Sequence, residues 1–156
     1  FTDKLSDVYR YILQQKDREL VKLSEELMFV KDYVFLLKIR YPDNLHVDFN
    51  ISADQNWYLP PLTLQMLIEN TIKHNVVSSA KPLEVRLYDK SEDTISVTNN
   101  LQPKSSVHGS TQTGLENIRS RYSFLSDRNI KVSKTEAEFE VEVPLLKVYR
   151  EAIVEI

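Results

Sequence analysis

The chain has no cysteine and only two glycines in 156 residues. The first absence excludes disulfides and thiolate metal sites and fits a reducing compartment. The second leaves no room for a Walker-type phosphate loop, because neither Gly109 nor Gly114 is followed by Lys-Ser or Lys-Thr. No run approaches the roughly 18 to 20 apolar residues of a membrane span, and no signal peptide is visible. Positive charge is not in excess either: 20 Lys and Arg against 23 Asp and Glu leave a net charge of -3. Nucleic acid is therefore not an expected partner, and an acidic membrane surface would not attract the chain as a whole. Internal repeats and low-complexity segments are also missing. Phe1 rather than Met opens the chain, already in a helical pattern, which reads as a piece of something longer.

What is present is amphipathic order, and with 42% hydrophobic residues a domain with its own core is within reach. Leu5, Val8, Tyr9, Ile12 and Leu13 recur at helical spacing, with Asp7, Arg10 and Gln14 on the other side. A second helix is expected from Ser24 as N-cap, with Glu25 and Glu26 in its first turn and Tyr41-Pro42 at its end. Its apolar stripe is Leu27, Val30, Val34 and Leu37, and both helices read as core or dimer packing.

Beyond Pro42 the period becomes 2. Residues 45–51 alternate as a half-buried strand should, and so do 83–88, 95–99, 130–133 and 139–143. Polar turns at 89–93 and 134–136 would close two hairpins. Trp57-Tyr58-Leu59-Pro60-Pro61 leads into a helix with proline in its first turn, ending near His74 with Asn75 as a left-handed terminal residue. After a polar stretch, a last helix of about a dozen residues runs from Gly114, with Leu115, Ile118, Tyr122 and Leu125 on one face. The acidic-apolar tail after Leu146 reads as a short helix or a frayed end. Five one-sided strands with helices on one face make an α+β, two-layer α/β sandwich.

Two stretches carry chemistry. In "LIENTIKHN", residues 67–75, Glu69, Asn70, Lys73 and His74 share one arc of the helix, opposite Leu64, Leu67, Ile68, Thr71 and Ile72. An acid, an amide, a base and an imidazole together offer oxygen ligands, a charge for phosphate and a donor, as Mg²⁺-phosphate sites require. The competing reading is a solvated face with a Glu69–Lys73 pair. In "TQTGLENIRSRY", residues 111–122, Gly114 at a helix start would expose backbone N–H groups to an anion, with Arg119 and Arg121 further along. His46, His74 and His108 are too scattered in sequence for a spaced metal cluster.

In this order the pieces resemble a known family. "YLPPLTLQMLIENTIKHN" resembles the N box of the GHKL ATPase superfamily, and "TGLENIRSRY" its second glycine box. The N-terminal part, from "LSDVYRYIL" to "RYPDNLHVDF", looks like the end of the histidine-kinase segment of LytS-like sensor kinases. The resemblance implies a Bergerat ATP-binding fold at residues 43–146, preceded by the end of a dimerisation and phosphoacceptor segment at 1–42 and followed by a tail at 147–156. It implies ATP and Mg²⁺ as cofactors, with Asn70 on the metal and Glu69 polarising or positioning the reacting groups. Lys73 and His74 would meet phosphates or ribose. Thr113, Gly114 and Leu115 would offer N–H groups to phosphate, supported by Asn117 and Arg119.

Two departures stand out. The family's first glycine box is Asp-x-Gly, where the acid reads adenine; here "VTNNLQPK" puts Asn99 for the Asp and Leu101 for the Gly. The phosphoacceptor histidine of such kinases lies upstream of Leu5 and is not in this chain. The implied function is that of the catalytic domain of a two-component histidine kinase, passing the γ-phosphate of ATP to that histidine and then to a response regulator. The intact kinase would be a homodimer, with this part on the cytoplasmic side of a bacterial inner membrane and attached only through upstream segments. The rival is a degenerate GHKL module, a nucleotide sensor or dimer scaffold without kinase activity.

Overall fold

A computed structural model describes residues 2–15, 17–52, 56–104 and 111–148, without the side chains of 111–113. Helix α1 (Thr2–Gln14) comes first, followed by the short strand β1 (Val21–Lys22) and helix α2 (Leu23–Arg40). The side of α1 that packs differs from the expected stripe. Val8 is buried and Tyr11 stacks on Phe29 of α2 at 4.2 Å, whereas Tyr9, Ile12 and Leu13 are exposed. Among the described residues α1 packs chiefly against α2, so only a narrow band of its surface is covered.

The start of α2 also corrects the expectation. Ser24 is not its N-cap; Lys22 is, and it makes no side-chain cap. Pairing of β1 with β3 (Tyr58–Leu59) fixes the start instead, continued by a hydrogen bond from Leu23 N–H to the Trp57 carbonyl at 2.9 Å. The stripe of Leu27, Val30 and Val34 is buried as expected, and Leu23, Glu26 and Phe29 widen it.

The main sheet has the order β2-β4-β5-β7-β6, formed by β2 (Leu45–Asn50), β4 (Leu83–Ser91), β5 (Thr94–Asn100), β6 (Lys131–Lys134) and β7 (Glu138–Pro144). β2 runs parallel to β4 and the other pairs are antiparallel. Alternation sorts the faces. Leu83, Val85, Leu87, Ile95, Val97, Val141 and Val143 join the core with Leu64, Leu67, Ile68, Ile118 and Tyr122 from the helices. The other face carries Arg86–Glu138 and Lys90–Glu140 ion pairs across the strands.

Helix α3 (Thr63–His74) and helix α4 (Thr111–Leu125) cover the apolar face. Pro60 and Pro61 precede α3 rather than entering its first turn. The chain leaves β3, turns through both prolines, and reaches the helix through Leu62, which is left-handed at φ 68°. Asn75 is not left-handed but extended, at φ -123°. Its buried amide donates to the Thr71 carbonyl at 2.9 Å and accepts from Gln102 N–H at 2.8 Å. Helix α3 thus stops where expected, through a side-chain tie to the segment after β5 rather than a backbone reversal. Helix α4 begins three residues before Gly114, and the Tyr122 hydroxyl donates to the Pro144 carbonyl at 2.7 Å. The tail beyond 148 lies outside the described residues.

Candidate functional site

The polar arc of α3 divides in two. Leu64, Leu67, Ile68 and Thr71 face the sheet and are buried. Asn70 and His74, one turn apart, line a cavity of about 520 Å³ between α3, α4 and the ends of β5, β6 and β7. Glu69 and Lys73 are exposed and do not line it. Glu69 accepts from the Gln65 amide at 2.7 Å, so the i,i+4 partner it takes is Gln65 and not Lys73.

Strand register builds the floor. Asn99 lies opposite Val85 on one side and Phe139 on the other, and Phe139 lies opposite Lys134. All four therefore project to the helix side of the sheet, where Asn99, Phe139, Val132 and Lys134 line the cavity. Asn99 is 3% exposed and donates to the Asn100 carbonyl at 2.8 Å. Among the described residues its Oδ1 has only the Thr71 hydroxyl nearby, at 3.5 Å, and that hydroxyl has its single hydrogen engaged by the Leu67 carbonyl at 2.9 Å. The Asn99 oxygen keeps acceptor capacity on a buried surface.

His74 is a second group with unused capacity. Both ring nitrogens are shielded from water and have no hydrogen-bond partner among the described residues. Burial, reinforced by the charges of Lys73 and Lys104, lowers its pKa below 6.5, so near neutral pH the ring is uncharged, with one donor and one acceptor nitrogen.

The second wall comes from α4. A Cβ added at Gly114 would lie 3.9 Å from Asn70 Oδ1, so the first turn of α4 stands directly over that side chain. Because the helix starts at Thr111, the N–H groups lacking intrahelical acceptors belong to its first three residues, Thr113 among them. Gly114 and Leu115 come just inside, and Leu115 contributes its side chain to the cavity. Arg119 lines the cavity; Asn117 is exposed outside it. Arg121 turns the other way and donates to the Pro61 carbonyl at 2.7 Å. His108 and Gly109 lie outside the described residues.

Leu101, where a glycine was expected, lines the cavity within a segment tied to the end of α3. Val76 N–H donates to the Gln102 carbonyl at 2.7 Å and Lys104 N–H to the His74 carbonyl at 3.2 Å. This tie brings Lys104 to the rim. Sequence reasoning missed Lys104, Lys134 and Phe139 as site residues. For the last two the signal was present, since each continues the inward register of a strand past its apolar residues.

Residues 1–45 match the family model described as Histidine kinase. Sensor protein LytS of Staphylococcus saprophyticus is 33% identical over 136 residues, covering 76% of this chain and 23% of that protein. The chain belongs to the LytS-like sensor histidine kinases. A sensor histidine kinase of Escherichia coli, YpdA, is 36% identical over 72 residues, 46% of this chain and 13% of that one. The chain thus spans about a quarter or less of the curated relatives it matches. Among solved structures, the catalytic domain of histidine kinase ThkA superposes with a TM-score of 0.54 at 17% identity, covering 80% of this chain and 94% of that one. Mycobacterial sensor histidine kinase MprB gives 0.51 at 12% identity, covering 83% and 98%. The LytS-like chain therefore has the α+β fold of histidine-kinase catalytic domains, the GHKL fold expected from its sequence.

Proposed function

We propose that the cavity binds ATP with Mg²⁺, and that the chain is the catalytic part of a two-component sensor histidine kinase. In the whole protein the γ-phosphate would pass to a histidine upstream of this chain and then to a response regulator. The observation that carries this reading is the convergence of Asn70, His74, Arg119, Lys104 and Lys134 on one cavity with an apolar floor. Three cations against Glu116 suit a polyphosphate, while Val132 and Phe139 beside the spare acceptor of Asn99 suit a base. The volume falls within the usual range of small-molecule sites.

The residues present fit the metal as well. Among the described residues no group of three His, Asp or Glu side chains is placed to hold an ion unaided. Mg²⁺ typically keeps waters and substrate phosphates and takes only one or two protein ligands, a role that the Asn70 amide oxygen can fill. Lys73 would meet phosphate or ribose from outside the cavity, and Glu69 would position the reacting group of an approaching acceptor. The start of α4 would face the phosphates with the free N–H of Thr113, and Gly114 and Leu115 just inside it would bring the helix close, supported by Asn117 and Arg119. Positioning and charge neutralisation are the main means of catalysis in such transfers.

On this reading residues 1–42 end a dimerisation segment, 43–146 form the ATP-binding domain, and 147–156 are a tail. The intact kinase would be a homodimer with this part in the cytoplasm. No described helix is long and apolar enough to cross a membrane. Calorimetric titration with a non-hydrolysable ATP analogue, with and without Mg²⁺, tests the proposal. Saturable binding that strengthens with Mg²⁺ is expected, and its absence would overturn the reading. The second reading, a degenerate scaffold, is favoured by Leu101 at the glycine position. A longer chain carrying the upstream histidine should form an acid-labile, base-stable phosphohistidine from labelled ATP, whereas a scaffold would not.

A further inference from the structure

Glu26, an acid in the first turn of α2, is fully buried. Its carboxylate lies against the start of α3, 36 residues away in sequence. Oε1 accepts from Leu62 N–H at 3.1 Å, and Oε2 accepts from Thr63 N–H at 3.0 Å. These are the N-cap and first helical residues, whose N–H groups have no acceptor within the helix. The N-cap residue itself, Leu62, has no polar side chain to cap with, and the Thr63 hydroxyl donates backwards to the Pro60 carbonyl at 2.7 Å. A charged oxygen at a helix N-terminus is favoured both by the free N–H groups and by the helix dipole.

The tie extends outward. The Tyr11 hydroxyl of α1 donates to Glu26 Oε1 at 2.9 Å, and the Tyr11 ring is held by its stack on Phe29. From the other side Arg121 of α4 holds the Pro61 carbonyl. All of this converges on Leu62, whose left-handed backbone costs roughly 1–2 kcal/mol and must be held by its surroundings. The far end of the same helix presents Asn70, about two turns on, and His74, about three, to the cavity.

We propose that Glu26 is a positioning residue for the nucleotide site: by capping α3 from α2, with Tyr11 behind it, it fixes where Asn70 and His74 stand and couples the α1–α2 pair to them. This rests on the reading of the cavity as a nucleotide site. A shift of α2 along its axis would withdraw the carboxylate from two backbone donors at once, leaving them buried and unpaired. The N-terminal helices thereby gain a lever on the site without touching it.

Three variants of the full chain test the coupling: Glu26→Gln, Tyr11→Phe and, as a control, Val34→Ala, which opens a cavity in α2 away from Glu26. Calorimetry with Mg²⁺ and the ATP analogue separates folded fraction, read from stoichiometry, from affinity of the folded form. Glu26→Gln should weaken affinity about tenfold and Tyr11→Phe about threefold, with Val34→Ala less stable but unchanged in affinity. Equal affinity in Glu26→Gln and the parent, or an equal loss in Val34→Ala, would overturn the proposal. Should Glu26→Gln not fold, Tyr11→Phe decides by the same criterion. Amide exchange across residues 66–74 without nucleotide keeps the two readings apart. If the parent binds no nucleotide, the site assignment fails, and the coupling then stands on faster exchange in Glu26→Gln than in Val34→Ala, or falls without it.

Discussion

The two ends of α3 treat polar groups in opposite ways. At its start every donor within reach is engaged: Leu62 and Thr63 N–H on Glu26, the Thr63 hydroxyl on Pro60, and Arg121 on Pro61. At its end, both nitrogens of His74 lie shielded without a partner among the described residues, and Asn70 faces a cavity. An unpaired buried polar group costs roughly 1–3 kcal/mol, so the far end forgoes stability that the near end secures. One helix thus divides its work between holding the fold and keeping capacity for a ligand. Substitutions at the base should register as stability, and those at the tip as affinity.

The largest effect is expected at the base. Leu64→Ala removes a fully buried side chain in the first turn of α3 and should cost about 2–5 kcal/mol in urea unfolding. The nucleotide affinity of the folded fraction should stay within twofold; a large change would mean that the two ends are not separable.

Next comes pH. Burial pushes the Glu26 carboxyl up to about 7 from 4.5, against the pull of the Tyr11 hydroxyl and the backbone N–H groups of Leu62, Thr63 and Leu64. Because the folded state holds this proton more tightly than the unfolded one, stability falls as pH rises from about 4.5 to 7 and levels off above. The single-group contribution is about 3 kcal/mol over that window. Tyr11 and Tyr122, raised above the ordinary phenol range by burial and the nearby Glu26 charge, stay protonated throughout. Unfolding midpoints at pH 5 and 8 should therefore differ more in the parent than in Glu26→Gln, and parallel curves would contradict this.

At the tip, Asn70→Ala should leave stability within about 0.5 kcal/mol while lowering Mg²⁺-dependent affinity about tenfold or more, because a methyl group cannot ligate the metal. Calorimetry with and without Mg²⁺ separates the two, and undiminished affinity would remove Asn70 from the site. The smallest expected effect lies on the floor. A carboxylate only accepts, suiting the adenine amino group and opposing the guanine carbonyl, whereas an amide can turn either way. Asn99→Asp should therefore raise the ratio of ATP to GTP affinity, by about a kcal/mol at most. An unchanged ratio would show that Asn99 does not read the base.

Much of this was legible because it follows from period. Alternation located the five main-sheet strands to within a few residues, and the apolar arc of residues 64–71 fixed which way α3 faces. What was not legible depends on contacts distant in sequence. Helix α2 starts at Leu23 because β1 finds β3, which a cap rule applied to Ser24 cannot see. Asn75 ends α3 through Gln102, so a rule for left-handed residues gave the right position for the wrong reason. In the site, the arc holding Glu69, Asn70, Lys73 and His74 was visible, but its division needed the position of α4, whose residues line one cavity with Asn70 and His74. Glu26 is the sharpest case. Locally it is a good first-turn acid, and only the fold reveals that it serves another helix.

That carboxylate also decides where the polypeptide can be cut. A chain shortened to begin at residue 43 would follow the sequence boundary between a helical segment and a sheet domain. It would lose the strand that pairs with β3, and with it the acceptor for Leu62 and Thr63 N–H. Closing those contacts joins segments some 36 residues apart, so the cap on α3 arrives only when the non-local pairing is complete. Proteolysis between residues 15 and 21 should be milder: it removes α1 with the Tyr11 hydroxyl but leaves β1 and the Glu26 cap on the remaining piece. The shorter the retained N-terminus, the more the sheet-bearing half should behave as a partly assembled folding unit.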